Sequence, residues 1–420
     1  MFKKITLRNY RTHRDTTLEL QPITLLIGNN SSGKSNFLSG IQHFSLLIRR
    51  GNPIKEEDPI VEARDYFPHR YRLANDDESM SIEIEWSKNN HFVKYYMELY
   101  KYVNFAENVA CREKIELISN QSEVQRFENG YQAETNLLEL QSQIRTAENI
   151  KEKELLNDFF RDFAYTFSYH LQPSFLKGIV EDPKKRKFDN DENSDENRIK
   201  IRIPSDLGYE GGNLQNLIKH VKNNEERVFS RFLTLMRRFA SKNFQGIRYD
   251  DKKSQLLWEF DLGRTTTDRL VDEFSPNVIS DGLIKAAAIA LLVSIQRPPA
   301  LILIEEIENG INPGNIQELI YWLWQATAPN QQDFTPQFIL TSHSPSVLRE
   351  FHQDLHSVYT FRLNKRNESD VRSLSKALDI LVGIGTIEEG EIIEDEKTGE
   401  RQVQIPKYKL AELWYDGIIG

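Results

Sequence analysis

Residues 23–36 read ITLLIGNNSSGKSN: a short apolar run that breaks into glycine, asparagine and serine and then sets a lysine beside a serine. No other stretch constrains the fold as tightly. Gly28, Gly33, Lys34 and Ser35 satisfy G-x-x-x-x-G-K-[ST], the loop pattern that cradles phosphates. A strand must deliver such a loop to the edge of a sheet and a helix must leave it, because successive backbone N–H groups and the positive end of a helix dipole hold the anion together. Glycine lets the backbone turn those groups inward. Asn29, Asn30, Ser31 and Ser32 are small and polar, so nothing bulky closes the cradle, and Asn36 completes the candidate phosphate-binding set. Lys34 would reach the outer phosphates and the Ser35 hydroxyl would ligate Mg²⁺.

The surrounding pattern agrees. KITLRNY, TTLEL and ITLLIG read as three strands, and SNFLSGIQHFSLLIRR has helical spacing and ends in arginines, as a helix C-terminus prefers. SIEIEW and FVKYYMELY alternate like a hairpin. From 103 to 245 the texture turns helical, notably at 137–167 and 214–240, around a charged loop near 182–198. Afterwards come strand QLLWEFDL, helix GLIKAAAIALLVSI, strand ALILIEE, helix IQELIYWLWQA, strand QFILTSH and strand VYTFRL. The alternation predicts a mixed α/β layer structure whose sheet is interrupted by the helical middle. The chain of 420 residues is too long for one simple core. We divide it into 1–102, the first part of the head with the glycine loop; 103–245, a mainly helical insertion; 246–365, the second part of the head; and 366–420, a C-terminal extension. That extension reads as a hairpin and a short helix, whose Leu, Trp and Ile residues in KLAELWYDGIIG suit partner docking.

A phosphate cradle alone does not define a reaction, and the second half narrows it. ALILIEEIENGINP places Glu305 and Glu306 at the end of an apolar strand, where paired acids are costly unless a cation or chemistry occupies the place. Glu305 would hold Mg²⁺ through water, and Glu306 would orient or deprotonate the attacking water. QFILTSH ends another strand on His343, which at that position can hydrogen-bond a γ-phosphate. Ser280, Asp281 and Gly282 precede a long apolar helix, with serine suited to the cap and glycine to close backbone approach. Taken singly, the histidine reads as structural and S-D-G as an ordinary helix start. The order of the motifs joins them into the second half of a nucleotide site.

In that order the chain resembles the ABC-type ATPase heads of the SMC/RecF/OLD group, the AAA15/AAA21 family, in a standalone form without a TOPRIM domain. GNNSSGKS stands as Walker A, ISDG as the signature, LILIEE as Walker B with its catalytic glutamate, ENGINP as the D-loop and TSH as the switch histidine. The resemblance covers roughly 1–100 and 245–365. It implies a P-loop NTPase fold of ABC/SMC-head type, ATP with Mg²⁺, and hydrolysis to ADP and phosphate. It also implies a homodimer in which each ATP lies between one subunit's Walker A loop and the other's Ser280, Asp281 and Gly282, with room for higher oligomers. Tyr10 and Arg11, in the first hairpin, are candidates for contact with the base. Glu305 stands where many relatives have Asp, Ile307 where Pro is common, and no Q-loop glutamine is identifiable; Asp65 is the stand-in.

Three uses remain open. The first is an ATP-gated sensor and scaffold for a separate effector, a nuclease or toxin, in bacterial anti-phage defence. The second is a DNA-repair or DNA-end-handling ATPase. The third is a transporter engine, against which the S-D-G signature argues. A net charge of −9 gives no general surplus for nucleic acid, which would need a partner or a local patch such as KKRK at 184–187 or Arg231, Arg237, Arg238 and Lys242. No apolar run approaches the length of a membrane span and no secretory leader is evident, so no membrane association is expected. The single cysteine, Cys111, suits a reducing cytoplasm.

Overall fold

The apolar runs at 23–28, 301–304 and 337–342 become three adjacent central strands of one sheet. The computed structural model describes residues 1–50, 70–75, 78–101, 109–119, 123–129, 153–178, 207–250, 255–263, 271–328, 335–385, 387, 391–394 and 401–419. The chain begins with β1 (Phe2–Tyr10), β2 (His13–Glu19) and β3 (Ile23–Gly28), then enters the helix Lys34–Arg50. β4 (Met80–Lys88), β5 (His91–Lys101), β6 (Val109–Ser119) and β7 (Glu123–Asn129) follow. With β1 and β2 they make a six-stranded antiparallel sheet in the order β2-β1-β4-β5-β6-β7.

The second sheet carries the site. β8 (Thr166–Tyr169), β12 (Leu301–Ile304), β13 (Gln337–Ser342), β14 (Val358–Leu363) and β15 (Ser369–Ser373) join β3 in the order β15-β14-β3-β13-β12-β8. All neighbours are parallel except the β14–β15 pair. β3, β12 and β13 are buried at every position, which is why they read as continuous apolar runs. Successive side chains enter opposite cores: Ile302 and Ile304 join one cluster, Leu301 and Leu303 the other. One core lies against the antiparallel sheet and the helices Lys34–Arg50 and Lys153–Ala164. The other lies against the helices Leu214–Asn224, Glu226–Phe239, Asp281–Ser294 and Ile316–Thr327.

Because these strands are parallel, the segments leaving β3, β8, β12 and β13 all emerge at one edge. This is where open α/β sheets bind ligands. The three-stranded sheet β11-β10-β9, from β9 (Phe244–Asp250), β10 (Gln255–Asp261) and β11 (Val271–Phe274), leads into the S-D-G helix.

Two expectations need correction. The stretch 103–245 is not helical throughout: β6 and β7 extend the antiparallel sheet, and β8 forms an edge of the parallel one. Ile115 and Leu117, both fully buried, mark the period-two alternation of a strand. Residues 137–150, the charged 182–198 loop with KKRK, and Asp65 lie outside the described residues. The C-terminal segment does form the hairpin β16 (Glu391–Glu394) and β17 (Arg401–Gln404) and the helix Lys407–Tyr415. Its apolar side chains, however, serve this chain's own core: Leu410, Leu413 and Ile419 are buried, and Trp414 packs against the same cluster. Tyr408, Tyr415 and Ile418 are the exposed ones. No helix among the described residues is long and apolar enough to cross a membrane.

Candidate active site

The loop after β3 takes the shape the glycines allow. Gly28, Ser31 and Gly33 have φ of 145°, 63° and 106°. At Gly33 a Cβ would stand 2.0 Å from the Ser369 Oγ, so any side chain there would displace the brace behind the loop. That brace is β15: the Ser369 hydroxyl donates to the Ser32 carbonyl at 2.9 Å and accepts from the Thr12 hydroxyl at 2.8 Å. Asn29, Asn30, Ser31 and Ser35 are exposed, whereas Asn36 ties the first hairpin down by accepting from Arg11 and donating to Thr12. A fully buried imidazole, His13, completes the support, its Nε2 2.9 Å from the Gly33 carbonyl and its Nδ1 2.9 Å from Thr16 Oγ1. Burial lowers its pKa to about 4. The ring is therefore neutral at pH 7, with Nε2–H donating to Gly33 and Nδ1 accepting from Thr16.

Lys34 is only 4% exposed. Its ammonium donates to the carbonyls of Gly28 and Asn29 at 2.8 and 2.9 Å and to Ser32 Oγ at 3.3 Å. Among the described residues no carboxylate comes within ion-pair distance of it. Desolvation lowers its pKa to about 8, with Glu308 and then Glu306 pulling the other way. A buried cation held by neutral dipoles alone is a site prepared for an anion. The His343 Nδ1 lies 2.9 Å from the same Gly28 carbonyl, so Nδ1 carries the proton and its 3.4 Å approach to Lys34 is a contact only. Burial and the Lys34 charge both lower the His343 pKa.

The strand-end acids emerge two strands away. The Glu305 N–H donates to the Tyr169 carbonyl of β8, and Glu306 turns sharply with φ of 48°. A non-glycine residue in that region is strained and needs holding. Three bonds hold it: its N–H donates to Thr341 Oγ1 at 2.9 Å, and its carbonyl accepts from Lys285 Nζ at 2.6 Å and from the Asn309 N–H at 2.9 Å. Lys285, 1% exposed and lowered to about 8 mainly by burial, belongs to the S-D-G helix. Ser280 caps that helix as expected, accepting the Leu283 N–H. A Cβ on Gly282 would stand 2.5 Å from the Gly310 carbonyl, so only glycine lets the helix start approach the D-loop turn this closely. Asp281 pairs with Lys177 at 2.6 Å. Among the described residues no hydrogen bond or ion pair joins Ser280, Asp281 or Gly282 to the glycine loop of the same chain.

The structure thus brings together Gly28–Asn36, Glu305, Glu306 and His343, and sets Ser280–Gly282 against the D-loop instead. Tyr10 is not available to a base: its ring is fully buried and its hydroxyl meets Ser39. Several neighbours escaped the sequence reading. Glu308 accepts the His343 N–H at 2.6 Å, and Tyr209 donates to Glu305 at 3.1 Å. Gln172 follows β8, whose residues pair with β12, and so reaches the same sheet edge as the acids. The strand TFSY followed by His-Leu-Gln was the available signal; the helical reading of 103–245 hid it.

The chemistry of the donors fits a nucleotide with its cation. The Ser35 hydroxyl and the Glu305 carboxylate are hard oxygen donors of the kind Mg²⁺ takes, and among the described residues no carboxylate pairs with the buried Lys34 ammonium.

The profile of the AAA_21 family, described as "AAA domain, putative AbiEii toxin, Type IV TA system", matches residues 23–349. The DNA double-strand break repair Rad50 ATPase of Methanococcus maripaludis is 30% identical over 95 residues, 22% of this chain. The chain spans about 8% of the length of that curated relative. Among solved structures, the SMC head domain from Thermotoga maritima has 12% identity and a TM-score of 0.41, covering 89% of this chain and 98% of that one. An SMC head bound to the C-winged helix domain of ScpA has 13% identity and a TM-score of 0.44, covering 90% and 99%.

Proposed function

The chain belongs to the AAA_21 family, an ABC/SMC-like group of P-loop ATPases, and from that premise we propose that it binds ATP with Mg²⁺ in the glycine-loop cradle and hydrolyses it between two copies of itself. Through that cycle it acts as a sensor and scaffold regulating a separate effector, a nuclease or toxin, in bacterial anti-phage defence, in the cytoplasm. The observation that carries the ATPase reading is the buried Lys34 ammonium, partnered among the described residues by carbonyls and a hydroxyl, at the sheet edge where Glu305, Glu306 and His343 emerge.

Each residue has a physical task. Backbone N–H groups of Asn29–Ser35 and the dipole of the helix Lys34–Arg50 take the phosphate oxygens. Lys34 exchanges carbonyl partners for phosphate. Ser35 and, through water, Glu305 hold Mg²⁺, which when bound neutralises charge on the phosphates. Glu306, its backbone clamped, accepts the proton of the attacking water. His343 enters the site neutral, and an anion close to its ring favours the charged form. Ser280, Asp281 and Gly282 lie free of their own chain's cradle and would close the cradle of a second copy. Such an interface is isologous and forms two equal sites.

A second reading, a DNA-repair or DNA-end-handling ATPase, is favoured by the likeness to the Rad50 ATPase and by the exposure of Arg231, Arg237, Arg238 and Lys242 along one solvent face. ATP-dependent DNA binding that weakens steeply with salt would select it. The ATPase itself is tested with two variants. Lys34→Ala is expected to lose nucleotide binding, and Glu306→Gln to keep it while hydrolysis falls at least 100-fold, on the order of a lost general base. Normal ATP affinity in the first variant removes the cradle; unchanged turnover in the second removes the base.

A further inference from the structure

We propose that Tyr209 is a positioning residue for Glu305, and that through it the turn at 207–213, which leads into the helix Leu214–Asn224, sets how tightly the site takes a divalent cation. The inference rests on the ATP–Mg²⁺ reading above and adds to it a residue from outside the motifs.

The phenol donates to Glu305 Oε1 at 3.1 Å, and its ring is held in that direction from several sides. The His170 imidazole stacks on it with centroids 6.3 Å apart and planes 25° from parallel. The Tyr209 carbonyl accepts the His170 N–H at 2.8 Å. His170 directly follows Tyr169, whose carbonyl accepts the Glu305 N–H at 2.9 Å. Phenol and carboxylate are therefore carried by two segments bonded to adjacent residues, His170 and Tyr169, at the exit of β8. The turn itself is built: the Gly208 N–H donates to Asn213 Oδ1 at 2.7 Å, and the Gly211 N–H to the Gly208 carbonyl at 2.9 Å. Gly211 has φ of 82°, and a Cβ there would meet Leu176 Cδ2 at 2.2 Å. The turn therefore closes only around glycine, on the core that also seats the short helix Pro173–Leu176.

An ionised carboxylate only accepts, and it has more lone pairs than one donor fills. With Oε1 fixed by the phenol, the remaining lone pairs of Glu305 are presented in a set orientation to the water shell of a cation. Outer partners of this kind fix ligand direction, and their loss typically costs about ten-fold or more in metal affinity. A glutamate at this position has one more rotatable bond than an aspartate, so it has more to gain from an external anchor. A phenol on the 207–213 turn, tied to the exit of β8 through His170, supplies it.

Tyr209→Phe keeps the ring and its stacking on His170 and removes only the hydroxyl. In the full chain, binding of a fluorescent ATP analogue is measured in EDTA, and Mn²⁺ binding to the nucleotide complex by electron paramagnetic resonance. We expect unchanged affinity without metal, and a rise of about ten-fold in the Mn²⁺ concentration for half-saturation. The double variant with Glu305→Gln should show no further rise over Glu305→Gln alone, since the phenol acts through that carboxylate. An Mn²⁺ titration superimposable on wild type overturns the inference and leaves the ATPase reading standing. So does an equal loss in EDTA, which would mean the hydroxyl shapes the pocket. A wild-type chain that takes up neither nucleotide nor Mn²⁺ overturns both.

Discussion

Two buried bases flank the glycine loop, and their opposite treatment shows what each is for. Lys34, lowered to about 8, keeps its charge at neutral pH with no carboxylate in ion-pair distance among the described residues, which favours an anion arriving. His13 instead loses its charge: neutral, it satisfies both ring nitrogens, with Gly33 on one side and Thr16 on the other. This makes the loop's support sensitive to acid. Unfolded, His13 titrates near 6.5; folded, it resists protonation until about 4, so the unfolded chain binds more protons between those values. Stability from this group is present in full above about 6.5 and is lost as pH falls through about 4. The difference between the two pKa values is worth about 3 kcal/mol. His13→Gln can still donate to Gly33 but cannot titrate. Urea unfolding from pH 7 to 4 should therefore show a shallower fall for His13→Gln than for wild type, and parallel curves would deny His13 this role. His13 was visible in the sequence only as part of a hairpin; nothing in RTHRD announces that the chain will fold back under a loop 20 residues on.

At the scale of elements, the helix Asp281–Ser294 does more than its cap suggested. It touches the D-loop with Gly282 and the turn of Glu306 with Lys285, so its two contacts fall on the segment that carries the assigned base. Lys285 sits in a helix whose other residues from Leu283 to Val293 are alanine, leucine, isoleucine and valine, where a charge is costly unless it has a task. Lys285→Met preserves length and removes the buried charge, so the thermal midpoint should hold or rise. The Glu306 carbonyl would keep only the Asn309 N–H, and its strained turn would be less well held. We expect kcat to fall about ten-fold with KM nearly unchanged, the pattern of a contact used in the transition state; an unaltered kcat would reduce Lys285 to packing. The same helix shows what was legible. Its cap, its length and its apolar character follow from local chemistry. Its lysine read as one polar residue among many, because the carbonyl it seeks lies 21 residues away on another strand's exit. β3, β12 and β13 were legible for the opposite reason: burial on both faces leaves a run of apolar residues that any window detects. β6 sets Arg112, Lys114 and Glu116 on one face and Cys111, Ile115 and Leu117 on the other, and that alternation was lost amid helix-forming residues; β7, EVQRFEN, mixes charge into both faces and gives no alternation to read.

For the whole molecule, the separation of Ser280–Gly282 from the cradle in the same chain is the feature with the widest consequence. The C-terminal helix, expected to present apolar residues outward, instead buries them in the chain's own core. The proposed shared site would use the sheet edge with the glycine loop and the S-D-G turn for self-association. If each site draws Lys34 from one copy and Ser280 from the other, two dead variants must complement. Lys34→Ala removes the ammonium. Ser280→Asp keeps a helix-capping oxygen but sets a carboxylate where a triphosphate would lie, adding like-charge repulsion without unpicking the helix. Each homodimer then has two broken sites. A heterodimer concentrates both lesions in one site and leaves the other intact. Random mixing at equal amounts makes about half the dimers mixed, each with one working site, so ATPase activity should recover to about a quarter of wild type. Titrating one variant against the other would give a maximum at equal amounts. A flat, inactive profile would place both residues in the same chain's site and remove the shared geometry.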